Sequence, residues 1–320
     1  IRTDLKLVNT SLFATDWYID QMKRASYKAA PIPSQLTHDQ YKYGTLDVAY
    51  HVPHPQFKDS VINIKDFMRW IASSNKGTYY IDEENDVKEK TYPTNRIRIP
   101  VNKENALKYG IVAAKDADKM VEYIDITVDR QGLTKNRILM LDILANFNWE
   151  RPLYFTGGAN AAEEYIWLKD YLQLDGMSFK LVPIKTPIGE KSMFDMGRID
   201  PEKMYANIKK LDWKNINDGK IYLDEQTKRN AISLRNNLMR LSEEFLTQKE
   251  SLDNKKADTK RLNALAKKYE MEAVTPQSLA AYRKAKMDYL GDLVTWDAAV
   301  EKNDTKKMKE ILSAFDTIYA

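Results

Sequence analysis

Apolar and polar positions along the chain change rhythm near residue 200. Before that point, short runs rich in β-branched and aromatic residues alternate with longer stretches of helical period. That alternation predicts an α/β domain with a mostly parallel sheet. The expected strands are Leu5–Asn9, Arg96–Val101, Tyr123–Val128, Pro152–Thr156 and Phe179–Ile184. The expected helices between them are Asp16–Ala29, Ile64–Ser73, Lys103–Tyr109, Thr134–Phe147 and Ala161–Leu172. In the fourth helix, "KNRILMLDILANF" repeats apolar residues at Ile138, Leu141, Leu144 and Ala145, a period near 3.6. Two stretches interrupt the rhythm. Residues 31–60, with Pro31, Pro33, Pro53 and Pro55, read as a loop with little regular structure. "GTYYIDEENDVKEKTYPTN" reads as an exposed polar excursion.

After Asp200-Pro201 the strand signals fade, and Lys, Glu, Asn, Leu and Met dominate to Ala320. Asp200 fits a helix N-cap with Pro201 at the first helical position. Helices are expected over 201–211, 225–250, 256–271, 276–302 and 304–318, with "QKESLDNKKAD" as a turn. Paired helices of this kind suggest an all-α, degenerate tetratricopeptide-like region. The predicted organisation is therefore an α/β domain over 1–200 and a helical repeat-like domain over 201–320, which suits a chain of 320 residues.

Charge narrows the partners. Fifty basic against 46 acidic residues leave +4, too small an excess for a dedicated nucleic-acid binder. No apolar run approaches the roughly 20 residues that span a bilayer. The absence of cysteine excludes disulfides and thiolate metal sites. The first residues, Ile1-Arg2-Thr3-Asp4, are neither an initiator Met nor a secretory leader, and the chain reads as a piece of something longer.

Two loops are candidates for ligand binding. Asn9-Thr10-Ser11 separates an expected strand from a helix whose first turn holds Trp17, as in a crevice at the carboxyl edge of an open sheet. The structural alternative is stronger: Asn9 and Ser11 satisfy loop amides while Trp17 packs on the sheet. The second loop, with Gly157, Gly158 and Asn160, follows the strand "RPLYF" and precedes a helix. Its amides suit an anion, but Glu163 and Glu164 would repel a phosphate, which favours a tight structural turn. If both strands run parallel in one sheet, Asn9, Ser11, Gly157, Gly158 and Asn160 share one edge, with Trp17 as an aromatic wall. No catalytic constellation emerges. His51 and His54 lie among prolines without a third ligand, so no metal site is expected. His38 and Asp39 are adjacent on the chain and rarely face each other. The acidic run at 82–86 and the Lys-rich stretches read as solvated charge.

Four stretches together resemble a known family: "VNTSLFATDWYIDQMKR", "LTHDQYKYGTLD", "ILANFNWERPLYFTGG" and "IYLDEQTKRNAISLRNNLMRLSEEFL". They look like the C-terminal soluble region of bacterial multi-spanning membrane proteins similar to protein O-mannosyltransferases, of the polyprenyl-phosphate-sugar-dependent glycosyltransferase class. The resemblance implies an extracytoplasmic, periplasmic domain of a larger inner-membrane protein. Its implied partners are its own membrane domain and an acceptor protein, with no cofactor in the fragment and a polyprenyl-phosphate sugar as donor to the parent. The class holds its catalytic acids in the membrane part, so no catalytic residue transfers to this chain. Three functions stay open: a non-catalytic domain that positions an acceptor or mediates assembly, a protein-binding scaffold unrelated to glycosyl transfer, and a free-standing enzyme using an α/β crevice, against which the absent catalytic constellation counts.

Overall fold

The computed structural model describes residues 4–57, 60–82, 84, 87–128, 131–156, 165–187, 196–211, 222 and 224–268. The chain divides into two compact units, Ile1–Leu241 and Ser242–Ala320.

Among its described residues the first unit holds three sheets, each mixing parallel and antiparallel pairs. In the first, β3 (Tyr79–Asp82) pairs antiparallel with β4 (Val87–Tyr92). Strand β4 is parallel to β1 (Val48–His51), which is antiparallel to β7 (Leu133–Thr134). In the second, β5 (Arg96–Pro100) lies between a parallel β2 (Ile62–Asn63) and an antiparallel β6 (Tyr123–Thr127). In the third, β9 (Leu172–Leu174) lies between a parallel β11 (Arg198–Ile199) and an antiparallel β10 (Ser178–Leu181). Strand β10 also pairs antiparallel with β8 (Tyr154–Thr156).

The expected mostly parallel sheet is thus corrected to three mixed sheets. The reason is visible in β5 and β6. Along β6 the residues alternate strictly, Tyr123, Asp125 and Thr127 outward and Ile124 and Ile126 inward. One dry face and one wet face is the signature of antiparallel pairing, whereas strands of a parallel sheet are buried on both sides. Residues 5–9 form no strand, and the supposed excursion at 77–95 contains the β3–β4 hairpin.

Helices cover the sheets. In α3 (Ile64–Ala72), the buried residues Ile64, Phe67, Met68 and Ile71 follow the spacing of one helix face. Asn63 caps it, its Oδ1 accepting from Lys65 N at 2.9 Å. Helix α5 (Lys135–Ala145) differs from the one-sided helix its sequence suggests. Lys135, Leu139, Met140 and Asp142 are buried along with Ile138, Leu141, Leu144 and Ala145, so α5 runs through the centre of the core. Short helices α1 (Asp16–Met22), α2 (His38–Tyr41) and α4 (Lys103–Lys108) add Tyr18, Ile19, Met22, Tyr41 and Ala106 to the same core. The cap expected of Asp200 is present on α6 (Pro201–Ile208): its Oδ1 accepts from Lys203 N at 3.3 Å, with Pro201 in the first turn.

The tetratricopeptide-like region is also corrected. A single helix, α7 (Glu225–Lys268), runs for 44 residues straight through the expected turn. It contains neither Gly nor Pro, and polar residues alone do not stop a helix. Of the second unit, residues 242–268 of this helix are described; the helices expected at 276–302 and 304–318 lie outside the described residues.

Candidate functional site

The corner picked out by the sequence is built differently from the expected crevice. Asn9 caps a 3-10 turn over Thr10–Ala14, its Oδ1 accepting from Ser11 N at 3.1 Å. The Asn9 amide donates to Tyr18 Oη at 2.8 Å. Asn9 and the Ser11 backbone therefore close a loop, as the structural reading holds. With no strand at 5–9 and β8 antiparallel to β10, the pair of parallel strands that would align this loop with the Gly-Gly loop is missing. Gly157, Gly158 and Asn160 themselves lie outside the described residues.

Trp17 does not pack on a sheet. It is 57% exposed, and its ring meets Tyr18 edge-on at 5.6 Å. Asp16 holds two aromatic-bearing segments together: Oδ1 accepts from Trp17 N at 2.8 Å and Oδ2 from Tyr43 N at 3.4 Å. Tyr43 is 93% exposed. One turn along α1, Asp20 accepts from Tyr41 Oη at 2.6 Å and lies 3.1 Å from His38 Nδ1. The Tyr41 hydrogen bond, with His38 beside it, holds the Asp20 carboxyl below its ordinary range. Burial, and then the Asp20 bond, push the Tyr41 phenol well up. The corner thus offers an exposed indole and phenol next to a carboxylate-backed imidazole, a set of apolar faces with a few directed polar groups. Such a surface can hold a hydroxyl-bearing or peptide ligand; among the described residues it contains no nucleophile aligned with His38.

The other histidines are structural. His51 stacks on Tyr92 at 5.3 Å, and His54 accepts from Gln56 N at 3.3 Å while packing against Phe57 and Trp70. Among the described residues no group of three or more His, Asp or Glu is placed to hold a metal ion.

Several charges lie inside the protein. Asp142 of α5 accepts from Gln35 N at 3.0 Å, from Asn146 Nδ2 at 3.1 Å and from the Ser34 hydroxyl, which ties the Pro31–Leu36 segment to the core helix. Burial raises its pKa against those hydrogen bonds. Lys90 of β4 donates to Thr78 Oγ1 at 2.8 Å and lies over the Tyr79 ring at 4.1 Å. Burial, helped by the like charge of Lys88, pushes it down to about 8. Around the third sheet, Asp116 binds Lys119 at 2.6 Å and Arg198 at 2.9 Å, and Lys115 bridges to Asp200 at 3.1 Å and Glu202 at 2.9 Å.

Among family profiles, that of TMEM260-associated domain 2 matches residues 1–203. The chain belongs to this family. No curated protein matches the chain, and no solved structure matches it.

The TMEM260-associated domain takes in all the described strands and the start of α6. It is a domain of a membrane-protein family, and no described helix is long and apolar enough to cross a membrane. Within this domain the sequence offers Trp17 as the aromatic wall of a crevice or as a residue packed on a sheet, and the structure leaves it exposed on α1 beside Tyr18. His38 was weighed against its neighbour Asp39, while its partner is Asp20, 18 residues earlier. The usable signal was the capping box at Thr37 and Gln40, which starts α2 and turns His38 toward α1. Asp39 instead pairs with Lys42 at 3.1 Å on the surface.

Proposed function

We propose that this TMEM260-associated domain is the non-catalytic, extracytoplasmic part of a membrane protein of the protein O-mannosyltransferase-like type. In this reading it sits on the periplasmic face of the inner membrane and positions an acceptor protein. The transfer itself uses a polyprenyl-phosphate sugar and belongs to its own membrane part. The observation behind the reading is the family match over 1–203, which attaches this mixed-sheet domain to a membrane-protein family. The exposed Trp17–Tyr43 corner, braced by Asp16 and Asp20, is the acceptor-facing surface that the geometry supports best.

Purified domain incubated with lipid-linked sugar and acceptor peptides is expected to transfer nothing. The full-length parent in membranes is expected to lose acceptor glycosylation when the domain is deleted, and to lose much of it with Trp17→Ala and Tyr43→Ala together. Transfer by the isolated domain would overturn the non-catalytic role. Undiminished glycosylation after the deletion would leave a protein-binding scaffold unrelated to glycosyl transfer.

A further inference from the structure

The turn between β9 and β10 gathers more buried polar contacts than a connection of its length requires. Asn207 of α6 donates to Asp175 O at 3.3 Å, and Asn237 of α7 donates to Gly176 O at 2.9 Å. Gly176 has φ +105, a conformation open to glycine, so the turn has a fixed shape on which both helices land. Arg240 of α7 adds two bonds nearby, to Met196 O at 2.9 Å and Gly197 O at 2.7 Å.

Beneath this turn lies an ion cluster with an odd charge. The cross-strand register sets Arg198, Gln173, Lys180 and Tyr154 in one row over β11, β9, β10 and β8, on one face of the sheet. Gln173 Nε2 donates to Asp175 Oδ1 at 2.6 Å. The other oxygen, Oδ2, lies 3.2 Å from Lys180 Nζ and 3.7 Å from Lys203 Nζ of α6. The side chains of Asp175 and Lys180 are 0% and 1% exposed, whereas Lys203 is one-third exposed and also donates to Gly110 O at 3.5 Å, so a buried and a partly solvated ammonium compete for one buried carboxylate oxygen. The Lys180–Asp175 contact is incomplete, because neither Asp175 Oδ2 nor Lys180 Nζ makes a well-directed hydrogen bond. A buried charge held by Coulomb attraction without its hydrogen bonds is poorly compensated.

We propose that this cluster is a protonation-dependent latch: with Lys180 charged, Asp175 is divided between two cations, and when Lys180 loses its proton Asp175 pairs with Lys203 alone and α6 is held more firmly on the sheet. Lys180 is the cation set to give up the proton. Burial pushes it down to about 8, against the attraction of Asp175 and with the help of Lys203. Lys203 moves the other way. Burial works against its charge, but Lys180, Asp175, Tyr154 and Asp200 together hold it above its ordinary value. Among the described residues, the other charges near the row have ionic partners, Arg198 with Asp116 through Nη2, its buried Nη1 making no hydrogen bond, and Asp200 with Lys115.

The sign follows from linkage. Releasing α6 uncovers Lys180 and removes Lys203, which restores Lys180 toward its ordinary lysine value. Proton uptake therefore favours release, and docking tightens as pH rises through about 8.

Amide hydrogen exchange over residues 201–208, corrected for its intrinsic pH dependence, reads the latch directly. In the full chain, protection of α6 is expected to rise roughly tenfold more than that of α3 between about pH 7 and about pH 9.5, α3 carrying the contribution of Lys90, which donates to Ser73 O at its end, over the same window. Lys180→Met should abolish the rise and leave protection at the high-pH level. Lys203→Gln should give low protection at every pH. If Lys180→Met fails to fold, the side-chain NMR titration of Lys180 in the unmodified chain decides. A midpoint near 8 that coincides with the rise in protection supports the latch. Flat protection, a rise that persists in Lys180→Met, or a Lys180 midpoint at the ordinary lysine value would overturn it.

Discussion

At Asn148 and Trp149 two successive residues hold the left-handed backbone conformation, with φ 41 and 59. Neither is glycine, and each such residue costs on the order of 1 kcal/mol or more. What fixes them is visible around them. Trp149 is 1% exposed and donates from Nε1 to Pro100 O at 2.9 Å, while Asn105 Nδ2 donates to Asn148 O at 2.9 Å. The indole thus stitches the end of α5 to β5. Trp149→Ala should destabilise the fold by about 3–5 kcal/mol in chemical denaturation, the range for emptying a large aromatic site. Lys90 allows a pH prediction at the same scale. Its folded pKa of about 8 lies below the ordinary 10.5, so the folded chain binds fewer protons than the unfolded chain between those values, and stability rises with pH there. Lys90→Met should flatten part of that rise, by up to about 3 kcal/mol across the window. Urea titrations from about pH 7.5 to about pH 9.5 read this before tyrosine ionisation intrudes. An unchanged slope in the variant would show that Lys90 is not the titrating group.

Among the elements, α5 is the one on which the first unit depends. Buried on opposite sides, it contacts α3 and the Thr10–Ala14 turn, and Asp142 fastens the Pro31–Leu36 segment to it. Leu141→Ala should cost about 2–5 kcal/mol, because Leu141 is fully buried in the main core and its loss leaves a cavity there. Asp142→Ala removes the acceptor of the part-buried Gln35 amide and leaves the Ser34 hydroxyl only Leu36 O at 3.4 Å, and should cost about 1–3 kcal/mol. Thermal denaturation with limited proteolysis separates the two effects: cleavage near residues 31–36 should rise in the Asp142 variant more than in the Leu141 variant.

For the whole molecule, the boundary between the two units falls inside α7, after Leu241. Leu241 is buried with Leu174 and Met204, and its neighbours Asn237 and Arg240 bond to the β9–β10 turn and to the residues just before β11. The first unit therefore contains the helical turns it needs. A chain of residues 1–241 should fold cooperatively, with the near-ultraviolet circular dichroism of the intact protein for its buried Trp149. Loss of that signal on truncation would show that the second unit is required for the first to fold.

Much of the local structure was legible in the sequence, because it depends on neighbours along the chain. The spacing of Ile64, Phe67, Met68 and Ile71 marks α3, the alternation over 123–127 marks β6, and Asp200-Pro201 marks the start of α6. For Trp17 the sequence leaves an aromatic wall and a sheet-packed ring as alternatives, and its exposure is decided by the fold. Sheet direction, the unbroken length of α7 and the pairing of His38 with Asp20 were not legible in that way. Strand direction is settled by which distant strand completes the backbone hydrogen bonds, and β1 finds a parallel β4 on one side and an antiparallel β7 on the other. The charge cluster at Asp175, Lys180 and Lys203 is of the same kind. Each residue is an ordinary polar letter in the sequence, and only the tertiary fold takes Asp175 and Lys180 out of water and brings the partly exposed Lys203 of α6 within 3.7 Å of the same carboxylate.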